Sequence, residues 1–166
     1  PDRVELVRYA GERLDRLGPA GRARAAGGGP TGAGNTIKAN LAALGITRLD
    51  AAFVSHYHAD HLGGLDEVEQ GVGGVPITTT YDRGGSYDSI AYTQYATQFA
   101  GRRTTLAAGQ TLDLCDEVTL AVIAVNGNGV KSSEENAKSL VVKARFGEVD
   151  AVIGGDLTGD GPDIES

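Results

Sequence analysis

Apolar positions along the chain recur with two different periods, and the change of period divides it into a mixed first part and a β-rich second part. Ile37, Leu41 and Leu44 stand at i, i+4 and i+7, one stripe of a helix for which Asn35 or Thr36 can serve as N-cap and Gly45 as the stop. The small and apolar run from Leu49 to Val54 predicts a buried strand. A short helix follows from Leu62 to Gln70, then a turn at Gly71 to Gly74 and a β-branched strand from Val75 to Thr80. Ile90, Ala91, Tyr95 and Phe99 mark a second amphipathic helix that ends at Gly101.

Beyond it the period shortens to that of strands: Thr104 to Leu106, Thr111 to Leu114, Val118 to Val125, Leu140 to Phe146 and Val149 to Ile153. Gly109, Asp116 and Gly147-Glu148 punctuate them, and the last pair predicts a hairpin. The longest irregular stretch, Asn126 to Asn136, is of a length that often carries function. Before Gly27 the pattern is poor. Val4, Leu6, Leu14 and Leu17 lie scattered among arginines and turn signals at Gly11, Gly18-Pro19 and Gly21, which predicts weak edge strands within residues 1–26.

A chain of 166 residues can bury a core of its own, so one domain over 1–166 is expected. No apolar run approaches the roughly 20 residues needed to cross a bilayer, so no membrane segment is expected. The net charge of −7 disfavours an unspecific grip on a polyanion, although bound divalent cations would reverse that locally. One cysteine, Cys115, excludes an internal disulfide and reads as a packing residue. The absence of methionine suggests a processed or excised piece. The acidic, Gly/Asp-rich end, with no closing hydrophobic element, reads as a domain incomplete at its C-terminus.

The chemistry is concentrated at one place. All 3 histidines fall within the segment His56-Tyr57-His58-Ala59-Asp60-His61, directly after the predicted buried strand. Imidazole nitrogen and carboxylate oxygen suit zinc and related divalent ions, and a loop at a strand end can turn alternate side chains inward. His56 and His58 can then grip one ion while Asp60 and His61 reach a second, and Gly63-Gly64 lets backbone approach closely. The alternative is a chance cluster of surface or core histidines.

His56, His58, Asp60 and His61 match in full the His-x-His-x-Asp-His signature of the metallo-β-lactamase superfamily, which this sequence resembles. The surrounding Ser55 to Leu65 is most similar to the branch that includes the extracytoplasmic domain of the ComEC competence protein and phosphorylcholine esterases. Asn136-Ala137-Lys138-Ser139-Leu140-Val141-Val142 and Gly154-Gly155-Asp156-Leu157 resemble two further segments of that branch. The resemblance implies an α+β fold, a four-layer αββα sandwich, with a metal loop at 55–65 and a β-rich second half over 103–156. It also implies that Asp156 bridges two divalent ions, zinc or else manganese. Asp60 would be the catalytic residue, orienting the nucleophile besides ligating.

The implied substrate is a phosphodiester, in nucleic acid (DNA included) or another phosphate ester, and the implied location is extracytoplasmic. A binding or accessory domain without turnover, or a thiolester or lactone hydrolase, are the alternatives. The superfamily often adds a later histidine to the first metal; here only Asn126 or Asn128 could substitute.

Three weaker signals remain. Gly29 to Thr36 nearly spells a phosphate-binding loop, but Asn35 stands where its lysine belongs, so a tight strand-to-helix connection is the better reading. The segment Tyr81 to Tyr87 reads first as a solvated loop and second as a substrate contact. Asn136 and Ser139 read as structural, pinning the start of a strand.

Overall fold

A computed structural model describes residues 4–8, 22–115, 118–129 and 131–158. Five strands, β1 (Val4–Arg8), β2 (Arg22–Ala26), β3 (Leu49–Phe53), β4 (Ile77–Asp82) and β5 (Arg103–Thr105), form one sheet in sequence order. Every pairing in it is parallel. Parallel neighbours need a crossover. Three crossovers carry helices: α1 (Gly34–Ala43), the pair α2 (Ala59–Leu62) and α3 (Leu65–Glu69), and α4 (Ile90–Gln98). Right-handed crossovers between strands added in one direction place all their helices on one face of the sheet. Ile37, Leu41, Leu62, Leu65, Val68, Ala91 and Tyr95 from these helices accordingly join Ala52, Val54 and Ile77 in one buried cluster.

The opposite face is left for a second sheet. Strands β6 (Thr111–Cys115), β7 (Val118–Ala124), β8 (Val141–Phe146) and β9 (Val149–Ile153) form an antiparallel meander. Alternation along β7 and β8 turns Leu120, Val122, Val142 and Ala144 inward to meet Ala51 and Phe53 of β3 in a second core. The two sheets and their helical layer are the expected α+β sandwich. All buried side chains of α1 to α4 belong to the first cluster, so among the described residues no helix covers the outer face of the antiparallel sheet. No described helix is long and apolar enough to cross a membrane.

Several local expectations need correction. Of the weak N-terminal strands only β1 is an edge; β2 pairs on both sides, because ladder bonds are made by backbone and tolerate the arginine-rich sequence. The turn signals at Gly11, Gly18-Pro19, Gly21 and Asp116, and the acidic residues after 158, lie outside the described residues, as does the side chain of Cys115. The helix expected from Leu62 to Gln70 is two short helices broken at Gly63-Gly64.

Neither Asn35 nor Thr36 caps α1. Its N-cap is Ala33, with no side-chain cap of its own. The carboxylate of Glu67, on α3, accepts from Gly32 N (2.8 and 3.0 Å) and Gly34 N (3.0 Å) instead. A helix start satisfied from another element is invisible to a local cap rule. The same contact explains the near-match to a phosphate loop: the anion at these N–H groups is the chain's own carboxylate.

The hairpin between β8 and β9 forms as expected, with Gly147 at φ 57°.

Candidate metal centre

The histidine loop leaves β3 at its C-terminal end and closes into the single turn of α2, whose N-cap is His58. Gly28 N donates to His61 O (2.6 Å) and Gly64 N to Gly29 O (3.0 Å), so the glycine-rich connection and the Gly63-Gly64 break lie backbone to backbone. A Cβ on Gly64 would stand 2.6 Å from Gly28 O and one on Gly63 2.4 Å from Ala59 O. The close approach expected of these glycines is therefore real.

The five expected side chains come together as two groups. His56 Nε2 faces His58 Nδ1 at 3.2 Å. His61 Nε2 stands 3.3 Å from Asp60 Oδ2 and 2.9 Å from Asp156 Oδ2. Two donors bound tetrahedrally to one ion at zinc distances stand about 3.3 Å apart, so two of these three separations already match a coordination edge. Donor atoms of His56, His61 and Asp156 all lie within 4.8 Å of one another, and the His56 and His61 rings are 4.2 Å apart between centroids, so the two groups meet in one cluster. The set of three imidazoles and two carboxylates fits a borderline divalent ion.

Asp156 reaches this position from the end of β9 through Gly154-Gly155. Gly155 has φ 55°, and a Cβ there would meet Ser55 Cβ at 2.6 Å and Ser139 Oγ at 3.2 Å. Gly155→Ala is expected to combine left-handed strain with this clash and destabilise the protein by about 2 kcal/mol or more. A lowered urea midpoint checks it; an unchanged one would show that the strand end is not pressed against the loop.

His56 is fully buried. Burial first, then the charges of His61, His58 and Arg83, push its pKa down to about 3, so the ring is neutral at ordinary pH. Its Nδ1 lies 3.1 Å from Ser55 Oγ and 3.4 Å from Ser139 Oγ. A hydroxyl there can accept the Nδ1 proton, which leaves Nε2, the nitrogen facing His58, able to ligate. Ser139, expected to pin a strand, thus touches a site residue. Asn136 is buried, and its Oδ1 accepts no hydrogen bond among the described residues.

Of the two asparagines considered in place of a further histidine, Asn128 spends both side-chain atoms within its own turn, and Asn126 is tied through its Nδ2. Asn126 Nδ2 donates to Arg83 O (2.7 Å), and Asn128 bonds Val125 N and Ile123 O within its own left-handed turn.

The segment from Tyr81 to Tyr87 is not a solvated loop. Asp82 and Arg83 are buried, while Gly85 and Ser86 are exposed. Tyr87 is half-buried with its ring edge-on to His58, at 5.7 Å between centroids.

Arg83 Nε and Nη2 each donate to Glu135 at 2.7 Å, and Arg83 lies 4.1 Å over the Tyr57 ring. Tyr57 OH donates to Gly84 O and accepts from Arg103 Nη2, and Arg103 Nε donates to buried Asp82 at 2.7 Å. Sequence reasoning assigned no role to Tyr57, Arg103 or Glu135, and read Asp82 and Arg83 as part of a solvated loop. A charged pair separated by 52 residues leaves no local trace.

A family model described as the beta-lactamase superfamily domain matches residues 32–165. No curated protein sequence matches the chain. Among solved structures, the chain is similar to the metallo-β-lactamase SMB-1 bound to 2-mercaptoethanesulfonate, with 16% identity and a TM-score of 0.50 over 77% of this chain and 51% of that one. It is also similar to the Rm3 metallo-β-lactamase, with 18% identity and a TM-score of 0.48 over 76% and 48% of the two chains. Zinc-bound PqqB from Methylobacterium extorquens follows at 16% identity and a TM-score of 0.42, over 66% and 41%. The chain thus spans about half the length of these lactamases. The likeness to SMB-1 concerns the fold alone, and the matched description names the superfamily rather than any branch of it. With the family model covering most of its length, this chain belongs to the β-lactamase superfamily.

Proposed function

We propose that this chain is a metal-dependent hydrolase of phosphodiesters whose site holds two divalent ions, both zinc or, alternatively, manganese. The carrying observation is the cluster of donor atoms of His56, His61 and Asp156 within 4.8 Å of one another, with His58 beside His56 and Asp60 beside His61. In this reading His56 and His58 hold one ion, Asp60 and His61 the other, and Asp156 both. Bound there, the ions supply Lewis acidity, which lowers the pKa of water and stabilises negative charge on the attacked group.

The chain's own residues do the rest. Asp60, the more exposed of the two carboxylates, accepts a hydrogen bond from the attacking water and aims it. Tyr87, half-buried with its ring edge-on to His58, holds that imidazole from one side. Neutral His56 presents a lone pair without a proton to displace. The phosphodiester is supported by the resemblance of Ser55 to Leu65, Asn136 to Val142 and Gly154 to Leu157 to a branch acting on phosphate esters.

A non-catalytic binding domain is the second reading, favoured by one observation: no fourth histidine exists to complete the first pair. Elemental analysis of purified protein, followed by bis-p-nitrophenyl phosphate, p-nitrophenyl acetate and a lactone, separates the readings. The expected result is metal-dependent release of p-nitrophenol from the phosphodiester, abolished by chelation and restored by zinc or manganese. Hydrolysis of the acetate or lactone alone would move the substrate class. Metal-loaded protein inert to all three would leave the binding domain.

A further inference from the structure

The segment from Glu135 to Leu140 contacts the histidine loop at three consecutive residues. Leu140 N donates to Ser55 O at 2.7 Å. Ser139 Oγ lies 3.4 Å from His56 Nδ1. Glu135 Oε1 accepts from Tyr57 N at 2.8 Å. The third contact falls on the peptide between the two histidines whose ring nitrogens face each other at 3.2 Å. It is made by a carboxylate only 2% exposed, which Arg83 holds through two bonds of 2.7 Å.

Resting on the reading of this site as a metal centre, we propose that Glu135 is a positioning residue. Clamped by Arg83, its carboxylate sets the orientation of the His56–Tyr57 peptide and thereby the spacing of the first pair of metal-facing nitrogens. Three features support this role. A peptide plane turns about one soft torsion on each side, so an N–H fixed at Tyr57 restricts ψ of His56 and φ of Tyr57, the torsions that set His56 relative to the chain leading to His58. A charge-assisted acceptor holds an N–H more firmly than a neutral one. Arg83 is in turn seated by Tyr57, whose ring it covers, and by Gly84 O and Ser86 O, so the clamp cannot swing without moving the loop. The clamp acts directly on the stretch from His56 to His58, and His61, whose ring lies 4.2 Å from that of His56, feels it through His56.

The test uses zinc affinity by competition with a chromophoric chelator, the visible spectrum of the cobalt(II)-loaded protein, and melting of the metal-stripped protein. Glu135→Asp keeps the charge opposite Arg83 but withdraws the carboxylate from Tyr57 N by one methylene. Glu135→Gln keeps an acceptor but removes the charge. Both are expected to weaken zinc binding at one site by roughly 10- to 100-fold, the range for partners of metal ligands, and to change the cobalt band envelope. Val68→Ala, in the helix-side core, is the control for lost stability alone and is expected to leave affinity and spectrum unchanged.

If Glu135→Gln fails to fold, Glu135→Asp decides the matter. Wild-type affinity and spectrum in a folded Glu135→Asp would overturn the positioning role and leave the metal centre standing. A wild-type protein that binds neither ion would overturn the metal centre itself, and the positioning role with it.

Discussion

If the site holds two ions as proposed, Asp156→Ala is expected to cut affinity for at least one of them roughly 1,000-fold, beyond the 10- to 100-fold typical of mere ligand partners. The reason is position. Asp156 is the only carboxylate whose donor atom lies within 4.8 Å of donors on both His56 and His61 among the described residues. His58→Ala, by contrast, takes one ligand from the first pair alone. Asp156→Ala should therefore lower metal stoichiometry and, on the proposed phosphodiesterase reading, turnover as well, by a factor of about 1,000. The side chain is partly exposed and ends a strand, so its loss leaves the two cores intact. Elemental analysis and titration on the folded variant decide it. Two ions retained at wild-type affinity would mean that Asp156 merely pairs with His61.

How much of this was legible in the sequence depends on how far each signal reaches along the chain. The stripe Ile37-Leu41, the strand at Leu49 and the hairpin at Gly147 depend on neighbours a few positions away, and the structure has them where the pattern put them. The four signature residues were legible because a strand end and one helical turn suffice to present them. Asp156, almost a hundred residues on, was reached only through resemblance; what delivers it is the fit of Gly155 against Ser55 and Ser139, which no local pattern encodes.

The same limit explains the errors. Glu67 caps a helix from 33 residues away, and Arg83 with Glu135 turns an apparently solvated loop into a buried wall behind Tyr57. Buried charge looks like surface in a sequence until its partner is known.

Acidification provides the second large effect, and its sign follows from His56. Its pKa is about 3 in the folded protein against 6.5 unfolded. Between these values the unfolded chain binds the extra proton, so the stability of metal-stripped protein is full above pH 6.5 and declines as the pH falls toward 3. The slope approaches about 1.4 kcal/mol per pH unit and the whole loss is on the order of 5 kcal/mol, a large part of a typical folding free energy.

Glu69 acts lower. Although burial would raise its pKa, hydrogen bonds from Arg102, Ile77 N and Gln98 hold it near 2, so its contribution is lost only as the pH drops below 4.5. Glu69 therefore adds little to any change between 4.5 and 6.5, and the comparison with His56→Gln separates the share of His56 from that of other groups, Asp66 among them. Urea midpoints measured across that interval, with chelator present, should fall steadily for wild type and much less for His56→Gln, which has nothing to protonate. Saturating zinc should shift the wild-type decline to lower pH, because an ion binds only the neutral ring and its binding energy adds to folding. Parallel curves for wild type and His56→Gln would show that His56 takes up its proton in the fold as readily as in the unfolded chain, and that its burial is relieved by a local opening of the loop.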